Sequence, residues 1–70
     1  MPSINKTLQI LEYIKRYVRL NGFAPTLEEI GRVFEMRSPA TVHAHIKKME
    51  DRGWIKRSRK WRGIEIVGAE

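Results

Sequence analysis

The sequence predicts an α+β fold that is mainly α, with three helices followed by a two-stranded antiparallel hairpin. Apolar residues recur at steps of three and four as far as Met49, which is the period of a helix with one buried face. After Gly53 this period ends, and two short runs rich in β-branched and aromatic residues, 54–57 and 63–67, predict strands. The 70 residues are expected to form one domain, 1–70, with a small core.

The first helix is predicted to follow a cap at Ser3 or Asn5 and to end at Asn21-Gly22. We interpret it as scaffold, with its cations on a solvated face. Its buried stripe is predicted from apolar residues at helical spacing, which are Leu8, Leu11, Ile14 and Val18, with Ile10 and Tyr17 beside them.

The second helix is predicted from the capping box Thr26-Leu27-Glu28-Glu29, in which the side chains of the first and last residues each bond the other's backbone N–H. Pro25 disfavours helical geometry at the residue before it, so the preceding connector is extended. The helix is expected to reach about Phe34, burying Leu27, Ile30, Val33 and Phe34.

The third helix, at about 38–52, is predicted to be the functional one. Ser38 can cap it, Pro39 suits its first position, and Gly53 can end it. One face carries the apolar residues of the core, and the opposite face carries small residues and then lysines. Two helices joined by a short turn predict a helix-turn-helix, whose second helix lies in the major groove of DNA.

The strands after Gly53 predict a β-hairpin with a cationic loop, which is the wing of a winged helix-turn-helix. Ile55, Ile64 and Ile66 are expected to line its inner face. The basic segment 56–62 is expected to contact the DNA backbone or the minor groove. The other strand residues, Lys56, Arg57 and Glu65, are expected to face water or phosphate.

Positive charge is concentrated in one part of the chain. The net charge is +6, and residues 37–62 hold nine of the 14 lysines and arginines beside only two acids, Glu50 and Asp51. This balance favours an acidic partner such as nucleic acid. The absence of cysteine excludes disulfides and thiolate zinc sites. With no apolar run near the roughly 20 residues that span a bilayer and no signal peptide, a cytoplasmic protein without membrane contact is expected.

Four segments of the chain together carry a family resemblance. They are Gly22-Phe23-Ala24-Pro25-Thr26 with Glu29-Ile30, the run 38–46, Arg52-Gly53-Trp54-Ile55 and Arg62-Gly63-Ile64. These segments resemble the N-terminal DNA-binding domain of the LexA family, the repressors of the bacterial SOS response. The resemblance implies a winged helix-turn-helix that represses transcription by occupying two-fold operators as a dimer, and we expect a monomer when free.

The resemblance also implies which positions contact bases, and this chain departs from the proteobacterial pattern at three of them. That pattern has asparagine at position 40 and acids at 43 and 44, whereas the run Thr41-Val42-His43 with His45 is more similar to the Gram-positive branch. The operator therefore stays open. The base-contacting candidates are Ser38, Ala40, Thr41, His43 and Ala44.

A second group of residues is predicted to contact the DNA backbone or to belong to the wing. Two of them keep an alternative role: His45 as a packing residue and Trp61 as an anchor of the hairpin. For the helix lysines the alternative is a solvated face. The group is Thr26, Arg37, His45, Lys47, Lys48, Arg52, Lys56, Arg59, Lys60, Trp61 and Arg62.

The competing function classes are an interaction module that uses its basic face on RNA or on an acidic protein, and an enzyme. An enzyme, cofactor or metal is not predicted, because no nucleophile with a placed base and no glycine-rich phosphate loop is present. His43 and His45 lie about 200° apart around a helix and cannot share one ion. The self-cleaving Ser/Lys domain of LexA proteins is not within these 70 residues, so we expect an excised domain or a stand-alone relative.

Overall fold

The predicted order of elements is confirmed. A computed structural model of the chain describes the backbone of residues 2–59 and 62–67 and the side chains of residues 6–59 and 62–67. No helix within these residues is long and apolar enough to cross a membrane. The elements are α1 (Pro2–Asn21), α2 (Leu27–Val33), α3 (Pro39–Asp51), β1 (Ile55–Arg57) and β2 (Ile64–Ile66).

All three helices and the hairpin contribute to one core. Helix α1 buries Leu11 and Ile14 as predicted, but it is rotated from the predicted orientation, because Thr7 and Ile10 are fully buried whereas Leu8 is 41% exposed. The residues that pack inward are spaced three and four apart from Thr7, and this stripe, rather than the one through Leu8, lies against the other elements. The helix also begins at Pro2, earlier than predicted. The core residues are Ile10, Leu11, Ile14, Ala24, Ile30, Val42, Ile46, Met49, Ile55 and Ile64.

Helix α2 begins with the predicted capping box. The Thr26 N–H donates to Glu29 Oε1 at 2.9 Å, and the Glu29 N–H donates to Thr26 Oγ1 at 3.1 Å. The prediction that Val33 is buried was wrong, since its side chain is 53% exposed. A helix of seven residues presents only a narrow inward face, and here that face is formed by Ile30 and Gly31.

The turn between α2 and α3 brings the two helices close together. Glu35 adopts a left-handed conformation with φ of 57°, and the Met36 N–H donates to the Gly31 carbonyl at 2.7 Å. A Cβ atom on Gly31 would lie 3.2 Å from both the Met36 carbonyl oxygen and Val42 Cγ2. Glycine at position 31 therefore permits the close packing of the helix-turn-helix, a role that the sequence pattern did not reveal.

Helix α3 has the predicted caps. The Ala40 N–H donates to Ser38 Oγ at 3.2 Å, and Pro39 occupies the first helical position. At the other end Gly53 has φ of 78°, and the Trp54 N–H donates to the Met49 carbonyl at 2.9 Å. This arrangement satisfies carbonyls at the end of the helix, as in a Schellman motif.

The hairpin has the predicted antiparallel pairing, with Ile55 opposite Ile66 and Arg57 opposite Ile64. Ile55 and Ile64 are buried at its base, and Ile66 is half-buried. The Ser58 N–H donates to the Gly63 carbonyl at 2.8 Å where the loop closes. Each strand has only three residues, so the hairpin depends on contacts with the helices.

Candidate nucleic-acid interface

The candidate interface is built on the outer face of α3. Val42, Ile46 and Met49 are buried, so the helix can expose only its opposite side. The structure places all five base-contacting candidates on exposed positions. They are Ser38, Ala40, Thr41, His43 and Ala44.

Exposed cations extend this face at both ends. Arg37 precedes the cap of α3, and Lys47, Lys48 and Arg52 lie on its later turns. The Lys47 ammonium is 3.5 Å from Asp51 Oδ1, but both side chains are more than 60% exposed, so this ion pair is weak and screened by salt. The Arg52 guanidinium lies 5.4 Å from the centre of the Trp54 ring.

The wing supplies further exposed cations. Lys56, Arg57 and Arg59 are exposed. Lys56 lies opposite Glu65 in the antiparallel register of the hairpin. The predicted contacts at Lys60 and Trp61 lie outside the described residues. Thr26 is half-buried, and its hydroxyl accepts the Glu29 N–H, as a helix cap requires.

His45 joins α3 to α1. Its Nδ1 lies 2.9 Å from the Thr7 hydroxyl, which is fully buried. Burial lowers the pKa of His45, and the nearby charges of Lys48 and Lys6 lower it further, so the neutral ring is favoured. The contact with Thr7 supports the packing role of His45, and its contact with the DNA backbone stays a prediction.

Arg62 does not extend from the wing, which corrects its predicted place among the exposed DNA contacts. Its side chain is only 13% exposed, and it forms a bidentate ion pair with Glu29, Nη1 to Oε1 at 2.8 Å and Nη2 to Oε2 at 3.0 Å. Nη1 also donates to the Ala24 carbonyl at 3.0 Å and to the Tyr17 hydroxyl at 3.4 Å. The left-handed backbone at Arg62, with φ of 56°, accompanies this inward turn of the chain.

The sequence matches the model of the LexA DNA binding domain over residues 5–62. The chain belongs to this family. It is 41% identical to the LexA repressor of Geobacillus sp. (strain WCH70) over 89% of its length, and 46% identical to that of Desulfitobacterium hafniense (strain DSM 10664 / DCB-2) over 83%. The LexA repressor of Bacillus cytotoxicus matches over the whole chain at 40% identity. The chain spans 29–35% of the length of these curated relatives.

The pKa of the Glu29 carboxylate is strongly lowered in this LexA-family domain. Hydrogen bonds from Arg62 and from the Thr26 backbone N–H lower its pKa to about 2, against an ordinary value of 4.5. A carboxylate held by a guanidinium and a backbone donor is stabilised in its charged form. Sequence reasoning assigned Glu29 only the capping role, because its partner Arg62 is 33 residues away.

Acid should destabilise the domain between about pH 4.5 and pH 2. The folded pKa of Glu29 is below the unfolded one, so its contribution is complete above pH 4.5 and is lost as the pH falls to about 2. We expect Glu29→Gln to flatten this part of the stability profile, as measured by urea unfolding at a series of pH values. Glu28→Gln is the matched control, since Glu28 is 85% exposed. An equal flattening in both variants would contradict the assignment.

Proposed function

We propose that this domain binds double-stranded DNA at a specific sequence and represses transcription by occupying that operator. The observation that carries the proposal is the outer face of α3, where small side chains are followed by cations in a helix-turn-helix of the LexA family. An exposed helix of this kind fits the width of the major groove. The relatives named LexA repressor support the same role.

In this proposal the first turns of α3 contact base edges. Ala40 and Ala44 allow close approach to the groove and can contact a thymine methyl group. The imidazole of His43 has two ring nitrogens that can bond base edges. Ser38 Oγ accepts the Ala40 N–H, and its own proton remains a donor, whereas the Thr41 hydroxyl can bond a base or a phosphate.

The cations on either side would hold the backbone. Each phosphate that is neutralised makes the slope of log affinity against log salt more negative by about 0.9, so four to six contacts give a slope of roughly −4 to −5. The candidates for these contacts are Arg37, Lys47, Lys48, Arg52, Lys56, Arg59 and, in the part of the loop outside the described residues, Lys60. Trp61, also outside the described residues, has no charge and would at most lie against the sugar-phosphate edge.

Two copies would bind one operator. One small module makes few phosphate contacts, so tight binding requires a second copy on the same duplex face. Half-sites about 34 Å apart, or one helical turn, would place two domains on that face. We therefore propose a two-fold operator with a dimer formed on DNA, within the bacterial cytoplasm.

In vitro selection from random duplexes tests this proposal. We expect the selection to enrich a motif with two related half-sites. Random duplex should not displace the domain from this motif. Displacement of the domain by random duplex as easily as by the selected operator would refute sequence-specific binding. Preferential binding to RNA or to an acidic protein would replace DNA as the partner.

His43→Ala should change which bases are preferred at one or two operator positions. We expect the free energy of binding to the selected sequence to become less favourable by about 1–3 kcal/mol. The salt slope should stay constant, because a base contact neutralises no phosphate. Binding titrations on operators with single substitutions would measure this. A uniform loss on all sequences would instead assign His43 to the backbone.

A further inference from the structure

Glu29 lies where four parts of the chain meet. Its carboxylate accepts a hydrogen bond from the Thr26 N–H at the start of α2. It also accepts one hydrogen bond from each terminal nitrogen of Arg62, which lies at the end of the wing loop. The same guanidinium bonds the Ala24 carbonyl in the connector and the Tyr17 hydroxyl of α1. We call the Glu29–Arg62 ion pair with these partners the clamp.

The clamp holds the end of the loop that carries the wing cations. The hairpin has two strands of three residues, and it packs at its base through the buried Ile55 and Ile64 and the half-buried Ile66. Apolar packing is not directional, whereas a bidentate guanidinium–carboxylate pair fixes both distance and plane. The clamp is therefore suited to define the orientation of the wing relative to α2.

Two aromatic rings also lie close to the Arg62 guanidinium. Its guanidinium carbon lies 4.8 Å from the centre of the Phe23 ring and 6.0 Å from that of Tyr17. The Arg62 side chain is only 13% exposed, so its guanidinium interacts with Glu29 and these rings rather than with solvent.

We propose that Arg62 is a positioning residue for DNA binding: through Glu29 it fixes the wing so that its cations and those of α3 reach one DNA backbone together. The inference rests on the proposed DNA-binding function. In this arrangement the terminal nitrogens of Arg62 donate to Glu29, to the Ala24 carbonyl and to the Tyr17 hydroxyl. Arg62 acts on the exposed wing cations, Arg57 and Arg59 among the described residues, by holding the loop that presents them.

Glu29→Gln separates this role from simple electrostatics. Removing an acid from a DNA-binding domain should strengthen binding if charge alone matters. The clamp predicts the opposite, because an amide nitrogen cannot accept a bond from Arg62 Nη2. The glutamine oxygen can still accept the Thr26 N–H, so the cap of α2 is kept.

The test compares Glu29→Gln with Glu28→Gln on the selected operator over a range of salt concentrations. Both variants lose one acid, but the carboxylate of Glu28 is 85% exposed and 3.6 Å from Arg32. For Glu29→Gln we expect the loss of about one or two phosphate contacts, which makes the slope shallower by about 0.9 to 1.8 and, at 0.1 M salt, the affinity about 8- to 60-fold lower. Glu28→Gln should keep the wild-type slope and bind at least as tightly.

Arg62 variants complete the design. Arg62→Ala should produce the same loss as Glu29→Gln, and the double variant should add little to either change. Arg62→Lys should restore part of the slope, since an ammonium can keep one bond to Glu29. Circular dichroism would confirm that each protein is folded at the temperature used. If Glu29→Gln is not folded, the test is whether the salt slope of Arg62→Lys is shallower than that of the wild type, as the inference requires.

Tighter binding by Glu29→Gln with weaker binding by Arg62→Ala would overturn the inference, because Arg62 would then contact phosphate directly. Unchanged slopes in all folded clamp variants would overturn it as well. Failure of the wild-type domain to select any operator is a separate outcome, which refutes the proposed function.

Discussion

Ile46→Ala should lower the free energy of unfolding by about 2–5 kcal/mol. Ile46 is fully buried in α3, where it packs in the core shared with α1 and the hairpin. Truncation removes apolar contacts and leaves a cavity that the surrounding side chains fill only partly. A domain of 70 residues has a total stability of roughly 3.5–10 kcal/mol, so the loss is a large part of it.

We expect the melting temperature of Ile46→Ala to fall by at least about 10 °C, as followed by circular dichroism. DNA binding should be lost at temperatures where the variant is unfolded and retained where it is folded. The control is Leu20→Ala, because Leu20 is 75% exposed and its truncation should change stability by less than about 0.5 kcal/mol. Comparable destabilisation by the two variants would contradict this account of the core.

Replacing Lys47, Lys48 and Arg52 together by alanine should abolish most of the affinity for DNA. If each cation neutralises one phosphate, the salt slope becomes shallower by about 2.7, which at 0.1 M salt corresponds to affinity about 500-fold lower. The loss should be similar on operator and random duplex, since phosphate contacts carry no sequence information. Titrations at several salt concentrations would measure both quantities.

The matched control removes three cations from α1, Lys15, Arg16 and Arg19. Arg16 lines a groove between α1 and the end of α2, together with Leu8, Tyr13, Val33 and Phe34. No residue of α3 lines this groove, so Arg16 lies away from the candidate interface. We expect this variant to keep nearly the full slope, although it has lost the same net charge. If both triple variants lose affinity equally, binding depends on overall charge and not on the face of α3.

Local motifs were predictable from the sequence because their partners are close along the chain. The capping box of α2 joins residues three apart, and the Ser38 cap bonds an N–H two residues away. The left-handed Gly53 follows α3 directly. Such contacts form whenever the local backbone is helical, so residue type and spacing are sufficient to predict them.

The rotation of α1 was not predictable in the same way. Its sequence contains two overlapping stripes at helical spacing, one through Leu8 and one through Thr7 and Ile10, and hydrophobicity favours the first. The structure buries the second, and the buried Thr7 hydroxyl has a hydrogen-bond partner in His45, 38 residues away. A polar residue can be buried when a distant partner satisfies it, and periodicity does not contain this information.

The sequence by itself thus determined the three helices, the wing and the exposed face of α3, since each depends on residues a few positions apart. The tertiary structure decided what Arg62 and Gly31 do. Arg62 was counted among the DNA contacts because of its charge and its place in the wing, but folding brings it to Glu29, 33 residues away. Gly31 is needed where α2 approaches Val42. Both roles arise from close approach between separate elements, which exists only once the elements have packed.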